Sequence, residues 1–541
     1  MRLAPIWRSA FLFTLPLHIK RNLYLIFSHI FYDKNLGRFK FIYYFCVTLK
    51  KLYTMIITYN EIAAGHPRGM KCSSDSYYAT VGNKILHRYE KLRLREFSPL
   101  ELKECAINIT QYFEDVVSDF GLWRSFTNWH KENYGKFIPF YHYEEDKYYQ
   151  DEPHIQDCML IIWLTVHNMR PNAIPYPMDL NIVGLAQAAW DILNEEFEKV
   201  PVNEDLKNLI ANAEYANDFF MQRDILKWLF FNSYLTHTAE NEAAMGQCVN
   251  AFKQQLGPMS VYVAECALTY ENKVSPLALS PQEFLGLVLR ANGKEQEAKD
   301  IEEQEYRPLT YYKILNVTDK DVELEAATGE KLIVTRHNLN DPDPDKLKGY
   351  ALCSLVNYKG DWFLNGFFTT SETGDEAFEE MKKVEEKKKN DRVPNYKHLK
   401  EISEDTGLFY FENKDAHKEF TIKELGLDEK MANDMFNAPQ MKTKENITVF
   451  VGDEKEPQGI ALGVAKSIKD NRNTMYDEEY AKANALVDTF NMPDTMVKYL
   501  VKHNMLPDAA FGTNQADGID HTQLLQENFD FVMRALRGNA Y

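Results

Sequence analysis

Apolar residues recur with helical spacing along much of the chain between residues 74 and 305. The first apolar stripe consists of Tyr78, Val81, Ile85, Tyr89 and Leu92. Ser74 stands where a helix cap is expected, and Ser98-Pro-Leu-Glu101 and Ser280-Pro-Gln-Glu283 both have the capping-box pattern. The spacing predicts an all-α domain over residues 55–305, with a long helix after Ser280.

Alternating and β-branched runs interrupt this periodicity between residues 306 and 372. They cover residues 312–317, 321–325, 331–334 and 350–368, with turns at Thr328-Gly329-Glu330 and Lys359-Gly360-Asp361. Short strands joined by tight turns predict a small closed sheet in this region, a central SH3-like β-barrel.

Glutamate and lysine dominate residues 373–405, which is typical of a solvated helix or linker. Beyond this segment, residues 408–411, 447–451 and 460–464 have strand character, and helical patterns follow them. Residues 406–541 are therefore predicted to form an α+β domain. The chain as a whole is predicted to be multi-domain and mainly α.

Charge and cysteine content make several classes of function and binding site improbable for this chain. The 541 residues carry a formal charge of −18, and the seven cysteines include no C-x-x-C pair. An acidic chain argues against nucleic acid as a partner, and scattered cysteines predict neither a disulfide framework nor a zinc knuckle. We therefore expect no metal, no cofactor and a cytoplasmic location.

The first 54 residues differ from the rest in composition. They are basic and rich in aromatic residues, with Asp33 as their one acidic residue. Their apolar runs are about half the roughly 20 residues of a membrane span, so we expect no such span. We interpret residues 1–54 as translated upstream sequence or a disordered extension, and Met55 as the true start.

Candidate chemistry is sparse. The sequence has no Walker A loop, dinucleotide fingerprint, nucleophile elbow or H-E-x-x-H motif. Four residues of the helical part are candidates for a metal-assisted hydrolase: Glu114, Asp115, His154 and Asp157. His154 and Asp157 are three apart at a helix start, as a metal pair or an acid/base pair requires. The favourable position of an acid in a first helical turn explains Asp157 without a ligand, and this structural interpretation is the stronger one, so the catalytic residues stay unknown.

Aromatic residues form a second set of candidates, for binding. A polar loop contains Tyr134 and Tyr141, and the predicted barrel contains Tyr350, Tyr358 and Trp362. Exposed aromatic rings on a barrel can hold a peptide or stack on bases. Strand alternation directs Trp362 inwards instead, where it would pack in the core.

Several short stretches carry a family resemblance. They are Cys72-Ser-Ser-Asp-Ser-Tyr-Tyr78, Tyr112-Phe-Glu-Asp-Val116, Tyr134-Gly-Lys-Phe-Ile-Pro-Phe-Tyr141 and Glu527-Asn-Phe-Asp-Phe531. Together they resemble an uncharacterised Bacteroidetes family known only as a domain of unknown function. The resemblance implies a start near Met55 and a bacterial cytoplasmic setting, and it assigns no ligand or catalytic residue.

Three functions are consistent with these observations. We prefer a non-enzymatic scaffold that binds an unknown protein or peptide, because a large, acidic chain without catalytic motifs fits that role. The alternatives are a nucleic-acid-associated factor that uses the central barrel, and a metal-assisted hydrolase built on the acidic cluster.

Overall fold

The computed structural model describes residues 55–171, 174–340, 342–390, 393–437, 445–455, 458–506, 524–525, 527–538 and 541. The chain divides into two units, Met1–Ile56 and Ile57–Tyr541. Our interpretation of residues 1–54 lies outside the described residues. The domain boundaries predicted within the second unit stay predictions.

Helices dominate the described residues between 57 and 302. They are α1 (Tyr59–Ala64), α2 (Asp75–Leu92), α3 (Pro99–Ser118), α4 (Leu122–Tyr134), α5 (Ile155–Met169), α6 (Leu180–Glu196), α7 (Glu204–Ile210), α8 (Phe219–Phe231), α9 (Ala239–Leu256), α10 (Ser260–Glu271), α11 (Pro281–Ala291) and α12 (Glu295–Glu302). Four residues of the predicted apolar stripe face the core, since Tyr78, Val81, Ile85 and Tyr89 are fully buried; the fifth, Leu92 at the end of α2, is exposed, so the prediction is wrong there. The mainly helical character of this part is confirmed.

Local capping determines where several helices begin. Ser98 and Ser280 form the predicted capping boxes, each accepting the backbone N–H three residues later. Ser74 does not cap α2 with its hydroxyl, so that expectation is wrong; the Asp75 carboxylate instead accepts the N–H of Cys72 at 2.9 Å. The long helix predicted after Ser280 is also wrong, because Gly293, with a φ of 71°, separates α11 from α12.

The predicted β region is a five-stranded antiparallel sheet. Its strands are β1 (Tyr306–Val317), β2 (Asp321–Glu325), β3 (Lys331–Thr335), β4 (Tyr350–Tyr358) and β5 (Asp361–Ser371), in the order β3-β2-β1-β4-β5. Tyr312, Val322, Leu332 and Ala351 belong to the buried cluster of this sheet. The closed SH3-like barrel is not confirmed: within the described residues β3 and β5 are the edge strands, and no ladder pairs them.

The C-terminal region is α+β, as predicted. A three-stranded antiparallel sheet consists of β6 (Leu408–Phe411), β7 (Ile447–Phe450) and β8 (Gly459–Leu462). The helices here are α13 (Asp375–Asn390), α14 (Tyr396–Ile402), α15 (Lys414–Leu425), α16 (Glu429–Asn437), α17 (Glu478–Thr489), α18 (Asp494–Lys502) and α19 (Phe529–Arg537). In the part of the chain that the structure describes, none of the helices has both the length and the apolar content that crossing a membrane requires.

The last helix, α19, returns to the N-terminal helical part. Phe531 is 1% exposed, and its ring lies 5.6 Å from Phe140 and 5.4 Å from His130 between ring centroids. The Ser275 hydroxyl also donates to the carbonyl oxygen of Ala535. The helical core therefore includes residues from both ends of the Ile57–Tyr541 unit.

Candidate metal centre

Glu114 lies on α3 and points into the helical core, where 1% of the residue is exposed. Its Oε2 lies 2.9 Å from His66 Nε2, and its Oε1 accepts a hydrogen bond from Asn203 Nδ2 at 2.7 Å. Each carboxylate oxygen therefore has a buried polar partner.

Asp115, the next residue, has hydrogen-bond partners different from those of Glu114. Its carboxylate accepts the backbone N–H groups of Gly121, Leu122 and Trp123 at 2.7 to 3.2 Å, and the Tyr234 hydroxyl at 2.8 Å. Burial raises the pKa of Asp115 to about 6, although these hydrogen bonds oppose the rise. Asp115 thus caps the N-terminus of α4.

Asp157 and His154 face different partners. Asp157 is fully buried and accepts the hydroxyls of Tyr112 at 2.6 Å and Tyr148 at 3.0 Å. Burial raises the pKa of Asp157 to about 7. The ring of His154 stacks on Tyr148, and its Nε2 lies 3.1 Å from the backbone of Tyr149. The structure therefore does not collect the four acid and histidine candidates into one ligand set.

The aromatic candidates also have internal partners. Tyr134 donates to Asp530, Tyr141 to the Pro177 carbonyl, Tyr350 to Asp375 and Tyr358 to the Ala216 carbonyl, while Trp362 packs on the buried cluster of the large sheet. Four of the five are hydrogen-bonded through the hydroxyl that a ligand would use. Their binding role stays a prediction.

A different group of residues does converge, next to Glu114. His66 follows α1, Cys72 lies in the loop that follows, and Asp75 is the first residue of α2. The loop turns sharply at Arg68 and Gly69, whose φ values are 56° and 64°. That turn brings the three side chains together, although five residues lie between His66 and Cys72.

The distances within this group approach those of a metal site. His66 Nδ1 lies 3.8 Å from Cys72 Sγ and 3.8 Å from Asp75 Oδ1. One donor atom from each residue lies within 4.8 Å of the others. Ligands bound at 2.0–2.3 Å in a tetrahedral site are about 3.3–3.8 Å apart, so only a small contraction would be needed.

Glu114 contacts the His66 imidazole through Nε2, and Asn203 in turn donates to Glu114. Metal-binding histidines typically donate their second ring N–H to a carboxylate, which fixes the ring orientation, and Glu114 occupies that position. Burial by itself lowers the pKa of His66, but hydrogen bonds with Cys72 and Glu114 outweigh burial and raise the pKa to about 10. Without an ion the ring is thus protonated, and its Nδ1 donates to the Met70 carbonyl at 2.9 Å.

One oxygen of Asp75 lacks a hydrogen bond. Asp75 is 1% exposed; its Oδ2 accepts the N–H of Cys72, whereas Oδ1 has no hydrogen-bond partner within the described residues. Burial raises the pKa of Asp75, since a buried carboxylate without a full set of donors is costly. A charged neighbour, the protonated His66 ring, lies 3.8 Å from Oδ1, and a cation at the centre of the group would contact Oδ1 directly.

Sequence reasoning missed this site. The signal in the sequence was the spacing His66-x5-Cys72-x2-Asp75. It differs from common metal motifs, in which two cysteines or two histidines form a pair. Cys72 and Asp75 lie within one of the stretches that carry the family resemblance, but that stretch contains no histidine. Glu114 was selected for catalysis, and the structure gives it contact with His66 instead.

Comparison with known proteins gives one family. The family model described as "Protein of unknown function (DUF3843)" matches residues 58–312 and 362–537. The matched ranges include His66, Cys72, Asp75 and Glu114. Neither the curated proteins nor the solved structures gave a match.

Proposed function

Because the chain belongs to the DUF3843 family, whose description names no activity, we propose from the site geometry that the protein binds a zinc-class divalent ion at His66, Cys72 and Asp75. The resemblance to a domain of unknown function is thereby confirmed; the Bacteroidetes origin and the cytoplasmic setting stay predictions. The observation that carries the proposal is Asp75 Oδ1, buried without a hydrogen bond and facing His66 Nδ1.

The donor types select the ion. A thiolate, an imidazole and a carboxylate form a mixed sulfur, nitrogen and oxygen set that suits zinc and related transition metals. Calcium and magnesium prefer oxygen donors throughout and are disfavoured by Cys72. On binding, the ion replaces the proton on His66 Nδ1. The N–H at Nε2 stays hydrogen-bonded to Glu114.

The contacts around the site support a structural role. The ion would join the loop of residues 65–74 to α2, and through Glu114 to α3 and Asn203. The same loop is held by α8, because Trp228 Nε1 donates to the Gly65 carbonyl at 2.6 Å. A metal that fixes such a junction is consistent with the non-enzymatic scaffold, and the protein or peptide partner remains a proposal.

The two alternatives have less support. A metal-assisted hydrolase needs the side chains of Glu114, Asp115, His154 and Asp157 to converge. Each of these residues has other partners, and both oxygens of Glu114 are bound to His66 and Asn203. A nucleic-acid factor rests on the central barrel, which the open five-stranded sheet does not reproduce.

Equilibrium dialysis of the full chain against zinc, followed by metal analysis, tests the proposal. Wild type should retain one zinc ion per chain, and Cys72→Ala should lose it or bind at least about tenfold more weakly. Cys248→Ala is the matched control, because Cys248 is also partly exposed but lies on α9 outside the site. Cys72→Ser provides a second variant of nearly unchanged volume.

Equal zinc retention by Cys72→Ala and Cys248→Ala would refute the proposal, as would a wild-type chain that retains no zinc. Circular dichroism on each variant separates loss of the ligand from loss of the fold.

A further inference from the structure

A cleft of about 210 Å³ lies between the end of α2 and the start of α3. Most of its lining is apolar or aromatic: Leu86, Tyr89, Leu94, Pro99 and Leu102. Leu86, Tyr89 and Leu102 are buried, whereas Leu94 is partly exposed and Pro99 is exposed. The cleft therefore has an apolar interior and reaches the protein surface.

The volume of the cleft limits what it can hold. An apolar cavity of about 150 Å³ accommodates one benzene molecule. On that scale, 210 Å³ accommodates roughly eight carbon atoms. Sites for drug-sized ligands are larger, at about 300–1,000 Å³. The occupant is thus a small apolar group, of the size of the alkyl chain of octanoate.

The rim of the cleft lies in a basic part of an acidic chain. Residues 87–96 contain four basic and two acidic residues, whereas the whole chain has a formal charge of −18. Arg93 lines the cleft, is exposed, and forms no ion pair within the described residues. Glu90 also lines the cleft, but its Oε2 lies 3.7 Å from His87 Nδ1. The unpaired charge at the rim is therefore positive.

The charges next to the cleft do not reverse this sign. Glu101 precedes the lining residue Leu102, and its carboxylate accepts Arg170 Nε at 2.6 Å and the backbone N–H of Ser98 at 2.7 Å. The C-terminus of α2 and the N-terminus of α3 meet here, so their helix dipoles have opposite effects on an anion. Arg93 is left to determine the head group, and a guanidinium prefers a carboxylate or another planar oxyanion.

We propose that the cleft between α2 and α3 binds a medium-chain aliphatic carboxylate, with the alkyl chain inside and the carboxylate at Arg93. This ligand site is separate from the zinc site, since the cleft lies at the end of α2 opposite to Asp75. The small volume and the apolar lining select the chain, and the unpaired cation at the rim selects the charge.

Ligand-observed NMR titrations of the full chain with unbranched carboxylates test the size of the site. Each buried methylene group contributes about 0.8 kcal/mol, so octanoate should bind roughly tenfold more tightly than hexanoate. Dodecanoate should gain less than about threefold over octanoate, because its additional methylene groups stay in solvent. Octylammonium, with the same chain length and the opposite charge, should bind at least about threefold more weakly than octanoate.

Variants test the location of the site. Arg93→Gln should weaken octanoate binding about threefold, as expected for an exposed charge pair, whereas exposed Arg95→Gln should leave it unchanged. Leu94→Trp should weaken it at least about tenfold by filling the cleft, whereas Val487→Trp, at an exposed position on α17, should not. Cys72→Ala should bind octanoate as wild type does, so failure of the zinc site would leave this result unchanged.

Absence of octanoate binding would overturn the proposal. Equal binding of octylammonium and octanoate, or equal effects of Arg93→Gln and Arg95→Gln, would overturn the carboxylate at Arg93. An affinity that continues to rise at the same increment up to dodecanoate would overturn the cleft as the site, as would unchanged binding by Leu94→Trp. Circular dichroism on each variant separates a lost site from a lost fold, and Arg93→Gln changes only an exposed side chain.

Discussion

Replacing Asp157 with asparagine should stabilise the protein at neutral pH. The carboxylate is fully buried between the Tyr112 and Tyr148 hydroxyls, and burial raises its pKa from 3.8 to about 7. Because the folded state holds the proton more tightly than the unfolded state, the stability due to this group is complete below pH 3.8 and is lost as pH rises towards 7. Asparagine is neutral and lacks this dependence.

The size of the effect follows from the two pKa values. The gap between 3.8 and about 7 corresponds to roughly 4 kcal/mol of unfolding free energy at alkaline pH. Between pH 5 and pH 7, wild type should lose roughly 2 kcal/mol relative to Asp157→Asn. The amide can keep both tyrosine contacts, since its oxygen accepts from one hydroxyl and its NH₂ group donates to the other.

Urea unfolding followed by tryptophan fluorescence is a suitable assay, because Trp123 Nε1 donates to the Tyr148 hydroxyl beside Asp157. Asp146→Asn is the matched control, since Asp146 is exposed in the neighbouring loop, and it should show the wild-type pH dependence. The reasoning is refuted if Asp157→Asn and wild type lose stability equally from pH 5 to pH 7.

Three further perturbations test other parts of the account. Glu114→Gln should weaken zinc binding by about 10- to 100-fold in a chelator competition without changing the stoichiometry at saturation. Glu90→Gln, a change at an exposed residue, should leave the zinc affinity unchanged. Equal affinities of the two variants would contradict the role of Glu114 as the hydrogen-bond partner of His66. Phe531→Ala should lower the free energy of unfolding in urea by about 3–5 kcal/mol, because its ring packs in the helical core. Val487→Ala, at an exposed position, should lower it by about 0.5 kcal/mol. A small loss for Phe531→Ala would mean that α19 does not complete that core. Gly349→Ala should lower the thermal unfolding midpoint more than Gly360→Ala, although φ is positive at both positions. The reason is that only at Gly349 would an added Cβ meet the Ser371 carbonyl oxygen, at 2.3 Å. Equal midpoints would contradict the close approach of Gly349 to Ser371.

Local features of the fold were predictable from the sequence. The capping boxes at Ser98 and Ser280 and the short strands depend on residues within a few positions of each other, and the structure confirms them. The end of α11 at Gly293 is also a local feature. It was not predicted, because the polar residues that follow Gly293 are good helix formers and favour one continuous helix. Sheet closure depends on whether β3 and β5, which lie close together, also form a hydrogen-bonded ladder, and no local pattern determines that pairing.

The site was less accessible to sequence reasoning for two reasons. His66, Cys72 and Asp75 lie within ten positions of one another, but their mixed residue types match no common metal-binding motif, and the residues that contact them are distant in sequence. Glu114 meets His66 across 48 positions and Asn203 across 89. No spacing rule relates side chains at such separations. The acidic residues that the sequence placed together, Glu114 and Asp115, are directed by the fold to different partners.

X-ray absorption at the zinc edge of the zinc-loaded full chain tests the central claim most directly. The account predicts one sulfur neighbour at about 2.3 Å and a shell of nitrogen and oxygen atoms at about 2.0–2.1 Å that includes one imidazole. A zinc ion surrounded by oxygen and nitrogen alone, or by two or more sulfur atoms, would contradict a centre formed by His66, Cys72 and Asp75.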